Sequence, residues 1–360
     1  MPPAATSPLR YGWTTGACAA AAAKAAYTAL LCGRFAESVG ITLPRGEKPL
    51  FALAEKTLGD GFARAGIVKD AGDDPDVTHG ALIVAEVRAG GDGDGVVFRG
   101  GGGVGTVTLA GLPLAVGEPA INPAPRRMIH DAVAEAAASH GGNGDAVVTI
   151  SVPGGAALAA RTWNPRLGIV GGISILGTTG VVVPFSCSAW IHSIHRGIDV
   201  ARANGRRHVA GCTGATSEKT VRELYALRDE DLLDMGDFAG GLLKYLKKNP
   251  LPRLTIGGGF GKLSKLAMGC MDLHSARSQV DLKWLGGEAR ALGGGALGDA
   301  VAAANSANHA LQLCAEAEVN IAARVAQLAR ASALSMLGGE TVVDVVVVDR
   351  GGAVIGKSDG

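Results

Sequence analysis

Beyond residue 185 the chain alternates between runs of helical and of strand character, and this alternation limits the possible folds more than any other feature. Helical patterning covers 189–204, 217–226, 239–248 and 262–269, and strand patterning covers 207–211, 254–256 and 342–348. Strands separated by helices cannot pair as tight hairpins, because each crossover returns the chain in the same direction. The expectation is a Rossmann-like βαβ domain with a parallel sheet over 185–360. Residues 292–336 read as mostly alanine-rich helix without an internal repeat.

The first half follows a different grammar. Thr15 is placed to cap a helix over 16–32, nearly all alanine and leucine until Gly33 closes it. Between residues 37 and 108, five short β-type runs separated by Gly, Pro and Asp predict an antiparallel or mixed sheet. Asn122 and Pro123 start a helix that runs to Gly141, and a strand follows over 146–152. The expectation is an N-terminal α+β domain over 1–184, with the change near Pro184. At 360 residues the chain exceeds the roughly 250–300 that one core serves, and its 47% hydrophobic content can fill two. Glycine at 55 positions, with only 4% aromatics, implies that much of the backbone is loop or closely approached.

Charge and cysteine usage exclude some functions. Lys and Arg number 34 against 33 Asp and Glu, so no basic excess points to nucleic acid or an anionic membrane as partner. The six cysteines form no CxxC pair and no disulfide framework, which fits a reducing cytoplasm. Residues 1–10 lack a charged flank leading into an apolar stretch and do not read as a signal peptide. The run Ala19 to Ala23 is too short to span a bilayer. No GxSxG, HExxH or zinc-ligand spacing occurs, and no protein-bound metal is expected.

Four segments carry candidate chemistry. VKDAGDDPDVTHG, 68–80, crowds Asp70, Asp73, Asp74 and Asp76 with Lys69 and His79 at a strand end. Such carboxylates can hold a general base or a hard cation, or can bond their own backbone as Asx turns; both readings stay open. RYGWTTGAC, 10–18, sets Thr14, Thr15 and Gly16 at a helix start, where an anion would find backbone donors or Thr would simply cap. In the second half, a strand meets GGGFGK, with Gly257, Gly258, Gly259, Gly261 and Lys262, and then a helix. A second turn, GCTGATSE, contains Gly211 and Thr213. Two such turns on one parallel sheet would face one crevice, as in nucleotide and cofactor sites, although neither matches GxGxxG or a P-loop. Arg126 and Arg127 could fork onto carboxylates. A dehydrogenase would need an acidic residue about 20 positions past the glycines, where Asp281 stands.

LRYGWTTGACAAAAAKAA, VKDAGDDPDVTHGA, GVGTVTLAGLPLAVGEPAINPAPRRMI, GGISILGTTG, MGDFAG and GKLSKLAMGCMDLHS together resemble the CbiD family of cobalt-precorrin-5B C1-methyltransferases over residues 9–350. The resemblance implies S-adenosylmethionine as methyl donor, a corrin precursor that carries its own cobalt, and a cobalt-precorrin-6A product in cobalamin biosynthesis. For that donor the two glycine turns are the expected holders, with cofactor contacts at Gly257, Gly258, Gly259, Gly261, Lys262, Gly211 and Thr213. Substrate contacts are expected at Arg10, Thr14, Thr15, Gly16, Lys69, Asp73, Asp76, Arg126 and Arg127, and proton acceptance at Asp70, Asp74 or His79. A non-catalytic tetrapyrrole carrier is the alternative, and a homo-oligomer stays open.

Overall fold

A computed structural model describes residues 8–360; residues 1–7, part of the stretch read as no signal peptide, lie outside the described residues. The chain divides after Ser186 into two compact units.

In the first unit, α1 (Thr15–Cys32) begins where the Thr14 hydroxyl accepts the Ala17 N–H at 3.2 Å, and it ends at Gly33 with φ 69°. Its one charged side chain, Lys24, reaches Glu135 at 3.0 Å and the Gly40 carbonyl at 2.7 Å. A helix this apolar must be covered on several sides, and Ala17 through Ala23 have no exposed surface. The helix is long and apolar enough to cross a membrane, yet 72% of that stretch is buried within the protein. Its small side chains let α2 (Pro123–His140) and a five-stranded sheet approach closely. The strands are β1 (Glu55–Gly59), β2 (Phe62–Val68), β3 (Leu82–Ala89), β4 (Val96–Gly100) and β5 (Ala146–Ser151), in the order β1-β2-β3-β5-β4. Because β5 runs antiparallel to β3 and parallel to β4, the sheet is mixed. Two of the early β-type runs instead form a separate ribbon, Ser38–Gly40 with Leu50–Ala52.

The second unit opens with α3 (Cys187–Ala203) and continues through β6 (His208–Cys212), α4 (Ala215–Tyr225), β7 (Leu232–Leu233), α5 (Ala239–Lys248), β8 (Arg253–Gly259) and α6 (Phe260–Ala267). Next comes α7 (Leu282–Gly293), and the stretch 292–336, expected to be mostly alanine-rich helix, is helical in three pieces: α8 (Gly295–Ala302), α9 (Ala307–Glu316) and α10 (Ile321–Leu337). Asp281 stands at the N-cap of α7, and Gly294, Ser306 and Asn320 stand at the N-caps of α8, α9 and α10, dividing the stretch. The chain closes with β9 (Val342–Val348) and β10 (Val354–Ser358). Strand order is β7-β6-β8-β9-β10, parallel except for β10. Val343, Val345 and Val347 enter one apolar cluster while Val346 and Val348 enter another, so β9 is covered on both faces and its continuous valine run follows.

Candidate functional site

The strand order of the second unit reverses between β6 and β8. From β6 the chain passes through α4 to β7 on one side, then through α5 to β8 on the other. At such a reversal the connections leave in opposite directions, and a crevice opens beyond the carboxyl ends of the strands. Here it has a volume of about 730 Å3 and is lined by Thr213–Ser217, Gly259–Lys262, Ser306–Asn308, Leu311 and Val348–Arg350. Three helices, α4, α6 and α9, therefore begin at this one crevice, and the backbone N–H groups at helix starts favour a negatively charged or oxygen-rich ligand.

The structure separates the glycines of this region by role. GGGFGK is not a loop: Gly257, Gly258 and Gly259 end β8, paired with Val346, Val347 and Val348, and Phe260 already starts α6. A Cβ on Gly257 would lie 2.7 Å from Val221 Cγ2 and 2.8 Å from Cys212 Sγ. On Gly258 it would lie 2.8 Å from Thr213 Oγ1, and on Gly211 2.5 Å from Leu242 Cδ2. These three glycines, expected as cofactor contacts, permit close packing and are not among the residues that line the crevice. Gly259 differs, since a Cβ there would meet nothing within 4 Å. Thr213, Gly259, Gly261 and Lys262 do line the crevice. Lys262 holds the turn after β6, its Nζ donating to the Thr213 carbonyl at 3.1 Å and pairing with Asp237 at 2.8 Å. Asp281 stands at no strand end; it caps α7 by accepting the Lys283 and Trp284 N–H groups, which removes the dehydrogenase feature.

Ser306–Asn308 and Asp349–Arg350 also reach the crevice, although no sequence expectation included them. The available signal was the polar break ending each run, a Ser N-cap before α9 and an Asp-Arg-Gly-Gly turn after the four consecutive valines that end β9.

In the first unit, 10–13, 70–79 and 181–185 come together. Gly12 and Trp13 pair with Val182 and Val181, and the Trp13 N–H donates to the Asp70 carbonyl at 2.7 Å. Asp70 forms a two-pronged pair with Arg10, and its Oδ1 also accepts the Gly72 N–H at 2.9 Å. The hydrogen bond from Arg10, then that from Gly72, holds the Asp70 carboxyl below its ordinary pKa, which makes it a poor proton acceptor. Asp73 accepts the Arg10 N–H at 2.6 Å. Lys69 is 2% exposed and its Nζ donates to Asp76 at 2.7 Å, so this expected anchor is already neutralised. Asp76 also accepts from the Thr78 N–H and hydroxyl, each at 2.7 Å. The Asx-turn reading thus describes Asp70 and Asp76.

His79 Nδ1 accepts the Ala71 N–H at 3.1 Å, so in the neutral ring the proton sits on Nε2 and no lone pair remains there to take another. Of the three expected proton acceptors, Asp74 is the least committed: its Oδ1 accepts the Phe185 N–H at 2.9 Å. Thr14, Thr15 and Gly16 are buried. Thr15 Oγ1 accepts the Leu176 N–H at 2.9 Å and the Gly16 N–H donates to the Leu176 carbonyl, so these groups brace α1 and are not offered to an anion. Arg126 donates to the Ile121 carbonyl and to Glu118 and lies over the Phe98 ring, its buried Nη2 having no hydrogen-bond partner among the described residues, while Arg127 is exposed. Burial pushes the Cys18 thiol up to about 12, which disqualifies it as a nucleophile.

A family model described as CbiD matches residues 3–184, and one described as CbiD, C-terminal domain, matches residues 272–359. The chain is 63% identical over 352 residues to a cobalt-precorrin-5B C(1)-methyltransferase of Paramagnetospirillum magneticum, covering 97% of this chain and 98% of that protein. It is 58% identical over 351 residues to the protein of the same name from Brucella anthropi, covering 97% and 95%. A crystal structure of the cobalamin biosynthesis protein CbiD from Archaeoglobus fulgidus matches at 26% identity and a TM-score of 0.40, covering 86% of this chain and 85% of that one.

Proposed function

The chain belongs to the CbiD family, and from that premise we propose that it is a methyltransferase acting on C1 of cobalt-precorrin-5B, with S-adenosylmethionine held in the crevice of the second unit. The relatives' shared name supports the reaction. The observation that supports the donor's place is the start of three helices at one strand-order reversal, beside a glycine with open space over its Cα.

A bound sulfonium supplies a methyl group already activated for displacement, so the electron pair of C1 forms the C–C bond as the C–S bond breaks and sulfur keeps its pair. The chain's task is then alignment and exclusion of water, which together can lower a barrier by several kcal/mol without a covalent enzyme intermediate. Thr213, Thr216 and the starts of α4, α6 and α9 offer hydrogen bonds to the amino-acid and ribose ends. Ala307, Leu311 and Val348 offer apolar contact to the purine. Cobalt arrives with the substrate. All six cysteines are free thiols, which supports a reducing cytoplasm as the working compartment.

The test pairs calorimetry with turnover. S-adenosylhomocysteine is expected to bind with a Kd of about 1 μM or below. Cobalt-precorrin-5B incubated with methyl-labelled donor should gain one labelled methyl group at C1. A carrier protein would take up the corrin but not S-adenosylhomocysteine, and that result would overturn this function.

A further inference from the structure

A second cavity, of about 570 Å3, adjoins the crevice and shares Gly261, Lys262, Ser306 and Ala307 with it. Its other lining groups include Asp237, Lys265 and His274. Lys262 is paired with Asp237 at 2.8 Å, and His274 Nδ1 accepts the Ala276 N–H at 3.2 Å. Lys265 is different. It is only 6% exposed, its Nζ donates to the Leu273 carbonyl at 2.8 Å, and it has no carboxylate within ion-pair distance among the described residues. An ammonium has three donors, and among the described residues the Leu273 carbonyl, a neutral acceptor, takes one of them. Because the lysine lines a cavity, the missing counter-charge can come from a ligand.

We infer that Lys265 and this cavity form a carboxylate subsite beside the methyl-donor crevice, an inference that rests on the donor reading of that crevice. The shared chemistry is a carboxylate, and two co-substrates carry one: the methionyl end of the donor and the peripheral acid arms of the macrocycle. The cavity's contiguity with the crevice suits either source, since the methyl donor and its acceptor must meet.

The experiment is calorimetry on the full chain with three probes: S-adenosylhomocysteine, 5′-methylthioadenosine, which lacks the amino-acid end, and cobyrinic acid, a corrin ringed by carboxylates. Lys265→Met should weaken one carboxylate probe by about tenfold or more, the loss typical of a buried charge-assisted hydrogen bond. Loss for S-adenosylhomocysteine with methylthioadenosine unchanged assigns the donor's carboxylate. Loss for cobyrinic acid alone assigns the macrocycle. Should Lys265→Met fail to fold, Lys265→Gln keeps a donor for the Leu273 carbonyl without the charge, and the same losses are expected. A folded variant that binds all three probes like the wild type overturns the subsite and reduces Lys265 to a staple between α6 and the loop after it. Wild-type protein that binds none of the probes overturns the donor reading of the crevice, and the subsite with it.

Discussion

Adjacent glycines of β8 make opposite demands, and substitution should separate them. Gly259 has open space where a side chain would start and stands at the N-cap of α6, a position that asparagine favours. Gly259→Asn should therefore leave Tm nearly unchanged while its side chain obstructs the crevice, weakening S-adenosylhomocysteine by about tenfold or more. Gly257→Ala should do the reverse. Its Cβ would press on Val221 and Cys212 in a filled layer, at a cost of about 1–3 kcal/mol in chemical unfolding, with little direct effect on the ligand. The sequence displays all three glycines alike, so their difference was not legible there. It arises from what α4 and the end of β6 place around Gly257 and Gly258 and leave open over Gly259, and those elements lie tens of residues away.

At the scale of elements, the acidic segment after β2 acts as a brace that ties 10–13 to 70–79. Burial pushes the Asp76 carboxyl up, but the Lys69 ammonium and the Thr78 hydrogen bonds outweigh it and leave the pKa below its ordinary value. Asp70 is likewise lowered, by Arg10 and the Gly72 N–H. A carboxyl with a depressed folded-state pKa contributes its full stabilisation above the unfolded-state value near ~3.9. That contribution is lost as pH falls through the folded value. Tm should hold at neutral pH and fall on acidification below about pH 4. Asp76→Asn should cost about 3 kcal/mol at pH 7, because it strands the buried Lys69 charge, and should flatten the acid limb. Lys69→Met combined with Asp76→Asn should recover part of that loss; strictly additive losses in urea unfolding would show that the two residues do not act as a pair. The elements themselves were largely legible, because helical and strand periods and N-cap residues are local signals. What was not legible was that Lys69, read as a substrate anchor, is buried on Asp76 near Cys18 of α1, since that burial depends on a helix about fifty residues earlier in the chain.

For the whole molecule, each unit has its own apolar core. One cluster runs from Ala17 to Ile175 and another from Ile194 to Val347, with no residue shared. The crevice and the cavity beside it are lined only by residues from Thr213 onward. Units with separate cores can fold when separated, so a chain of residues 187–360 should unfold cooperatively in urea. If the donor's contacts are those of the crevice, this fragment should bind S-adenosylhomocysteine within about threefold of the full chain, while the fragment ending at Ser186 should show the acid sensitivity but no donor binding. Full-chain binding at about 1 μM alongside a folded 187–360 fragment that binds more than about tenfold more weakly would show that the donor also needs the first unit, and the contacts assigned to the crevice would have to be reassigned. The relatives carry one shared name, cobalt-precorrin-5B C(1)-methyltransferase, which supports the proposed methyl transfer, and the fragment experiment tests where on the chain the proposed donor is held.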